Sequence, residues 1–208
     1  MLRIALVSPS YHPVLGGVSE QMHGMAQGLA RRGHEVTVLT GGRPGRPREE
    51  RDGGVWVRRL GRTLFLPING GRTALALGPD LRAEVDAVLR GRVDLLHVHA
   101  PYEWGLPLAS VAAFDGPTIG TFHAAGHRGG GWRLLAGAVR ARLGRLAIRV
   151  AVSRTAARWA RELFGGDYRL LPNAVDASRF RPRASRSRSE VSALRALQLL
   201  VVARLEPR

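Results

Sequence analysis

The chain has 208 residues, enough for one substantial core, and its 45% hydrophobic and 23% charged content is that of an ordinary globular domain. It has no cysteine, which excludes a disulfide framework and thiolate metal sites. The formal net charge is +16 and every basic residue is arginine, so nucleic acid, anionic lipid and a background of solvated arginine compete as readings. Aromatic residues are not interleaved with the arginines, so a nucleic-acid partner is not expected. The N-terminus has neither a basic leader nor a cleavage site, and no apolar run approaches a membrane span. A cytoplasmic protein is expected.

Leu2 to Val7 reads as a buried strand. It leads through Ser8-Pro9, Pro13 and Gly16-Gly17 into a helix whose apolar positions Val18, Met22, Met25, Ala26, Leu29 and Ala30 share one face. Gly33 supplies a left-handed end for that helix, and Val36 to Leu39 is the next strand. Residues 41–54 read as an exposed loop, and Val55 to Leu60 as a short alternating strand. The stretch 61–71 is expected to be irregular. Its Leu64, Phe65, Leu66 and Ile68 are too apolar for water, so it either folds back on the core or forms an apolar acceptor surface.

Pro79 is placed at the first position of a helix running to about Arg90, with Leu81, Val85, Val88 and Leu89 inward. Val93 to His99 has the apolar character of a central parallel strand. Then follow a short helix at about 104–114, a strand at Pro117–Phe122 ending in His123, and a glycine-rich loop. A helix at about 132–146, a strand at Ile148–Val152 and a helix from Arg154 to Phe164 capped by Ser153 come next. A strand at Tyr168–Leu171 ends in Pro172-Asn173. The Arg- and Ser-rich stretch to about Ser192 reads as a linker, and Leu197 to Ala203 as one more strand. This alternation predicts an α/β fold with a doubly wound, mostly parallel Rossmann-like sheet.

Three features carry chemistry. Gly16-Gly17 before a helix N-terminus lets backbone N–H groups approach a phosphate, although a tight turn that binds nothing has the same sequence. His97 and His99, two apart, point to one face of their strand. Their spacing offers no convincing third metal ligand, and a satisfied structural histidine is the simpler reading of His97. His123 sits where the carboxyl end of a parallel strand meets a ligand crevice, and an imidazole there can donate to a substrate hydroxyl or stabilise developing charge. Ser153-Arg154 reads equally as a ligand contact and as a helix cap with a surface arginine, and the turn Pro172 to Asp176 as a further candidate or as a chain reversal into the linker.

In order, the segments PSYHPVLGGVSEQMHGMAQGLARRGHEVTVLT, LLHVHAP, PTIGTFHAAG, AVSRTAARWA, LLPNAVDASRFRP and LLVVARLEPR resemble the N-terminal half of a family 4 retaining glycosyltransferase with the GT-B fold. LPINGGRTALALGPDLR and VSRTAARW resemble the phosphatidylinositol mannosyltransferase branch most. The resemblance implies two Rossmann-like domains across a cleft, this one binding the acceptor and the other the nucleotide sugar. On the matching positions, Gly16, Gly17 and Arg204 would meet the donor diphosphate, and His123 the transferred sugar as the catalytic residue. Tyr11, Asn69, Arg72, Ala100 and Ala124 would lie near the acceptor. No cofactor or metal is implied, because arginine and lysine replace the metal in this family.

The expected organisation is a domain at 1–178, a linker at 179–196, and at 197–208 the first strand of a donor domain the chain does not include. The chain alone is expected to be inactive, since transfer needs both substrates at near-attack distance; turnover of a nucleotide sugar by these 208 residues would overturn that. Ala174 stands where the family more often has glycine, and Ala74 and Ala76 where the inositol-lipid branch tends to be basic. The competing reading is a non-catalytic, arginine-rich module that docks on an anionic membrane surface.

Overall fold

The computed structural model describes residues 1–68, 71–123, 130–179 and 199–200. The chain runs β1 (Arg3–Val7), α1 (Gly17–Arg31), β2 (Glu35–Gly41), β3 (Glu49–Asp52), β4 (Val55–Leu60), β5 (Arg62–Ile68), β6 (Gly71–Leu77) and α2 (Leu81–Leu89). It continues with β7 (Leu95–His99), α3 (Leu106–Ala113), β8 (Thr118–Phe122), α4 (Gly130–Leu143), β9 (Ile148–Ala151), α5 (Arg154–Phe164) and β10 (Arg169–Leu170). The eight-stranded sheet has the order β10-β9-β8-β7-β1-β2-β4-β3, parallel throughout except for β3.

Strand alternation divides the core between the two faces. On β1, Ile4 and Leu6 join Met22 and Ala26 of α1 in one buried cluster. Ala5 and Val7 face the larger cluster, built with α2, α3, α4 and α5. One helix on one face and four on the other follow from right-handed crossovers running outward in both directions from β1. The expected caps also form: Gly33 adopts φ +82° just past α1, and the Ser153 hydroxyl accepts from Ala156 N at 3.1 Å.

Two expectations are corrected. Residues 41–54 are not all loop, because Glu49–Asp52 forms β3 antiparallel to β4. Its Glu-Glu-Arg-Asp sequence has no apolar alternation to betray it, but a charged strand suits a sheet edge, and Glu49 pairs with Arg58 at 3.5 Å. Residues 61–71 are not irregular either: β5 and β6 form a hairpin in register from Arg62↔Leu77 to Ile68↔Gly71. Ala74 and Ala76 bury its inner face, while Leu64 and Leu66 remain 51% and 40% exposed. The hairpin therefore both folds back on the core and presents an apolar outer face.

Smaller shifts concern helix ends. Pro79 precedes the N-cap Asp80 rather than opening α2, and Leu146 is buried beyond the end of α4. The linker and the strand expected at 197–203 lie outside the described residues apart from 199–200, where Leu199 and Leu200 are exposed.

Candidate functional site at the carboxyl edge of the sheet

Because β1, β7 and β8 are parallel neighbours, their carboxyl ends lie along one edge, with β1 and β8 about 10 Å apart at two strand spacings. The β1 end feeds the loop to Gly16-Gly17. Gly16 is the N-cap of α1 and has no side chain to cap it, so the first-turn N–H groups are left for solvent or an anion. A Cβ placed on Gly17 would meet nothing within 4 Å. The space in front of this helix end is open.

At the neighbouring strand ends, His99 Nδ1 and His123 Nε2 lie 2.8 Å apart with the rings stacked at 5.0 Å between centroids. The pairing is a matter of register: His99 faces Thr121 across the ladder, so His123, two residues on, falls on the same side. Phe122 fixes the strand end, being fully buried and packed against Tyr102 and Tyr168. His97, stacked on His99, bonds Thr121 Oγ1 at 2.7 Å, as a structural histidine should.

Burial lowers His97 and His123 to about 4 and holds His99 well below the usual imidazole range. All three are therefore neutral near pH 7. One proton is shared between His99 and His123, and whichever ring donates it, His123 Nδ1 is left over. That nitrogen and His99 Nε2 are buried and have no partner among the described residues. His123 thus offers a neutral ring nitrogen that can donate or accept according to the tautomer His99 selects.

The other expected residues are distributed less evenly. Ala100 extends the β7 edge, donating its N–H to Thr121 O at 2.8 Å with φ +52°. Tyr11 is only 2% exposed, and its hydroxyl donates to Asp52 Oδ2 at 2.8 Å on the side of α1. It is not brought together with His123. Arg72 falls in β6 opposite Pro67, but its side chain, together with Asn69, Ala124 and Arg204, lies outside the described residues. The Pro172–Asp176 stretch reaches the first turns of α1, where Ala174 N donates to Gln21 Oε1 at 2.9 Å.

Sequence reasoning named His99 with His97 on one strand face but did not foresee its pairing with His123, and it passed over a second group altogether. Glu103 lies in the loop after β7, and burial raises its carboxyl to about 7. Nothing in its local sequence marks it.

Residues 15–179 match the model of Glycosyltransferase Family 4. The chain is similar to the phosphatidyl-myo-inositol mannosyltransferases of Mycolicibacterium smegmatis (32% identical, covering 86% of this chain and 45% of the relative) and Mycobacterium tuberculosis (30%, 86% and 46%). It therefore spans about half the length of the curated relatives it matches. Among solved structures, sucrose-phosphate synthase from Thermosynechococcus elongatus superposes with a TM-score of 0.58 at 16% identity, over 92% of this chain and 53% of that one. An E. coli trehalose-6-phosphate structure bound with UDP-2-fluoro glucose gives a TM-score of 0.51 at 11% identity, over 92% and 53%. Both likenesses support the Rossmann-like fold.

Proposed function

The chain belongs to glycosyltransferase family 4, and on that premise we propose that it is the acceptor-side half of a retaining transferase that passes a sugar from a nucleotide-sugar donor to an acceptor hydroxyl. The observation that carries this reading is the shared edge: an uncapped glycine helix end lies two strands from His123, whose Nδ1 is buried and has no partner among the described residues. The helix end suits a diphosphate, since its N–H groups and dipole both favour negative charge. The imidazole suits a sugar or acceptor hydroxyl, because a neutral donor can follow the charge that develops there. Arg204 would complete the diphosphate contact from beyond the described residues. A transfer guided by the leaving diphosphate does not need the two facing carboxylates, about 5 Å apart, of retaining hydrolases. The names of the mannosyltransferase relatives favour mannose as the sugar and an inositol lipid as the acceptor.

Gly17→Ala tests the diphosphate contact. The new methyl meets no protein atom, and alanine is the better helix former by up to about 1 kcal/mol, so the melting temperature should hold or rise. The same methyl stands in the path of the anion. In the full-length gene product, KM for the donor should rise about tenfold, the equivalent of one charge-assisted backbone bond. An unchanged KM would remove the glycine loop from the donor site.

A second reading concerns location and rests on the β5–β6 hairpin. Exposed Leu64 and Leu66 adjoin Arg43 and Arg62, both lining a cavity of about 430 Å³. Apolar side chains beside arginines suit docking at an anionic bilayer surface. No described helix is long and apolar enough to cross one. The wild-type chain should float with vesicles containing acidic phospholipid and Leu64→Ser/Leu66→Ser should not; equal flotation of the two would sink this reading.

A further inference from the structure

Beside α1, on the side away from the histidine pair, a second set of metal-ligating groups converges. His12 comes from the loop that leads to Gly16-Gly17, His23 from the second turn of α1, and Asp52 from the end of β3. One ligand atom from each lies within 4.8 Å of the others. His23 Nδ1 and Asp52 Oδ2 are already 3.1 Å apart, and the His12 and His23 rings stack at 4.2 Å. Two atoms bound tetrahedrally to zinc at about 2.0–2.2 Å are separated by about 3.4 Å. The set therefore needs only small side-chain rotations to close on a cation. All three side chains are about 30% exposed (29%, 27% and 34%), which leaves both an entry path and room to rotate.

We propose that His12, His23 and Asp52 form a binding site for a divalent transition cation of the zinc type, which would staple the glycine loop to α1 and the β3–β4 hairpin. Two imidazoles and one carboxylate are a donor set that suits Zn²⁺ and its neighbours better than Mg²⁺ or Ca²⁺, which prefer oxygen throughout. The surrounding contacts are those expected around ligands. Tyr11 donates to Asp52, Gln27 Nε2 donates to the Asp52 carbonyl at 2.7 Å, and Glu20 Oε1 lies 2.9 Å from His12 Nε2. Glu20 is placed either to orient His12 or to supply a fourth oxygen. The cation stands apart from the chemistry of transfer, and its effect is to hold the loop in front of the diphosphate position.

The test is calorimetric titration of the tag-free chain with Zn²⁺, repeated with Co²⁺ while recording visible absorption. One equivalent should bind, raise the melting temperature and give the ligand-field bands of tetrahedral cobalt. His12→Ala, His23→Ala and Asp52→Asn should each weaken binding at least about tenfold. His123→Ala should leave it intact, because the other histidine group is not the site. If His23→Ala fails to fold, the more accessible His12→Ala carries the comparison. The proposal is overturned if neither metal binds, if binding survives both histidine replacements, or if His123→Ala is the variant that loses it.

Discussion

His123→Ala in the full-length gene product should lower kcat by roughly two orders of magnitude while KM for either substrate changes little. That size is typical of losing one preorganised donor that acts on charge developing in the transition state. The structural cost should be small. His123 is partly exposed and, among the described residues, its ring makes one bond, to His99, so the melting temperature should fall by only a few degrees. His123→Asn, which can still present an amide N–H or carbonyl, should recover part of the rate. His99→Phe should fall between wild type and His123→Ala, because it removes the partner that selects the tautomer without touching substrate. Wild-type kcat in His123→Ala would reduce the residue to packing, and an equal loss in His123→Asn with a collapsed melting temperature would do the same.

The second large effect is on stability. Glu50→Ala should reduce the free energy of unfolding by about 3 kcal/mol, read from urea denaturation. Arg59 is 2% exposed and cannot deprotonate. Its Nη2 donates to the Glu50 carboxylate and to the His12 carbonyl at 3.1 Å, while its Nε is buried and has no partner among the described residues. Removing Glu50 leaves a buried cation with one carbonyl. The low end of the range for broken buried pairs applies, because Glu50 is 24% exposed and water can reach its place. Adding Arg59→Met should restore most of the loss, since the stranded charge goes with it. A single variant within about 0.5 kcal/mol of wild type would show that the pair is not holding the β3–β4 edge.

The central parallel strands β1, β2, β7 and β8 were legible because each is a short apolar run, α1 because it has one apolar face and Gly33 just past its end, and α5 because it has the Ser153 cap. β3 was not, since a charged edge strand has no alternation and owes its pairing to β4. The β5–β6 hairpin was not legible either: Leu64, Phe65, Leu66 and Ile68 mark the stretch as apolar but give no clean period-2 alternation to mark a strand. At the site, His123 and the glycine pair could be named from their places at strand ends. The His99–His123 contact could not, because residues 24 apart meet only once the register of β7 and β8 is known. Tyr11, placed near the acceptor by the family resemblance alone, has a buried ring and a hydroxyl that donates to Asp52, 41 residues away, a contact no local pattern announces.

The most direct test is transfer itself. The full-length gene product, given nucleotide-diphosphate mannose labelled in the sugar and vesicles containing phosphatidylinositol, should move label onto the lipid with the anomeric configuration retained. His123→Ala should leave the lipid almost unlabelled. A wild-type protein that labels no hydroxyl acceptor from any nucleotide sugar, or a His123→Ala protein that labels at the wild-type rate, would contradict the assignment of this sheet edge to sugar transfer.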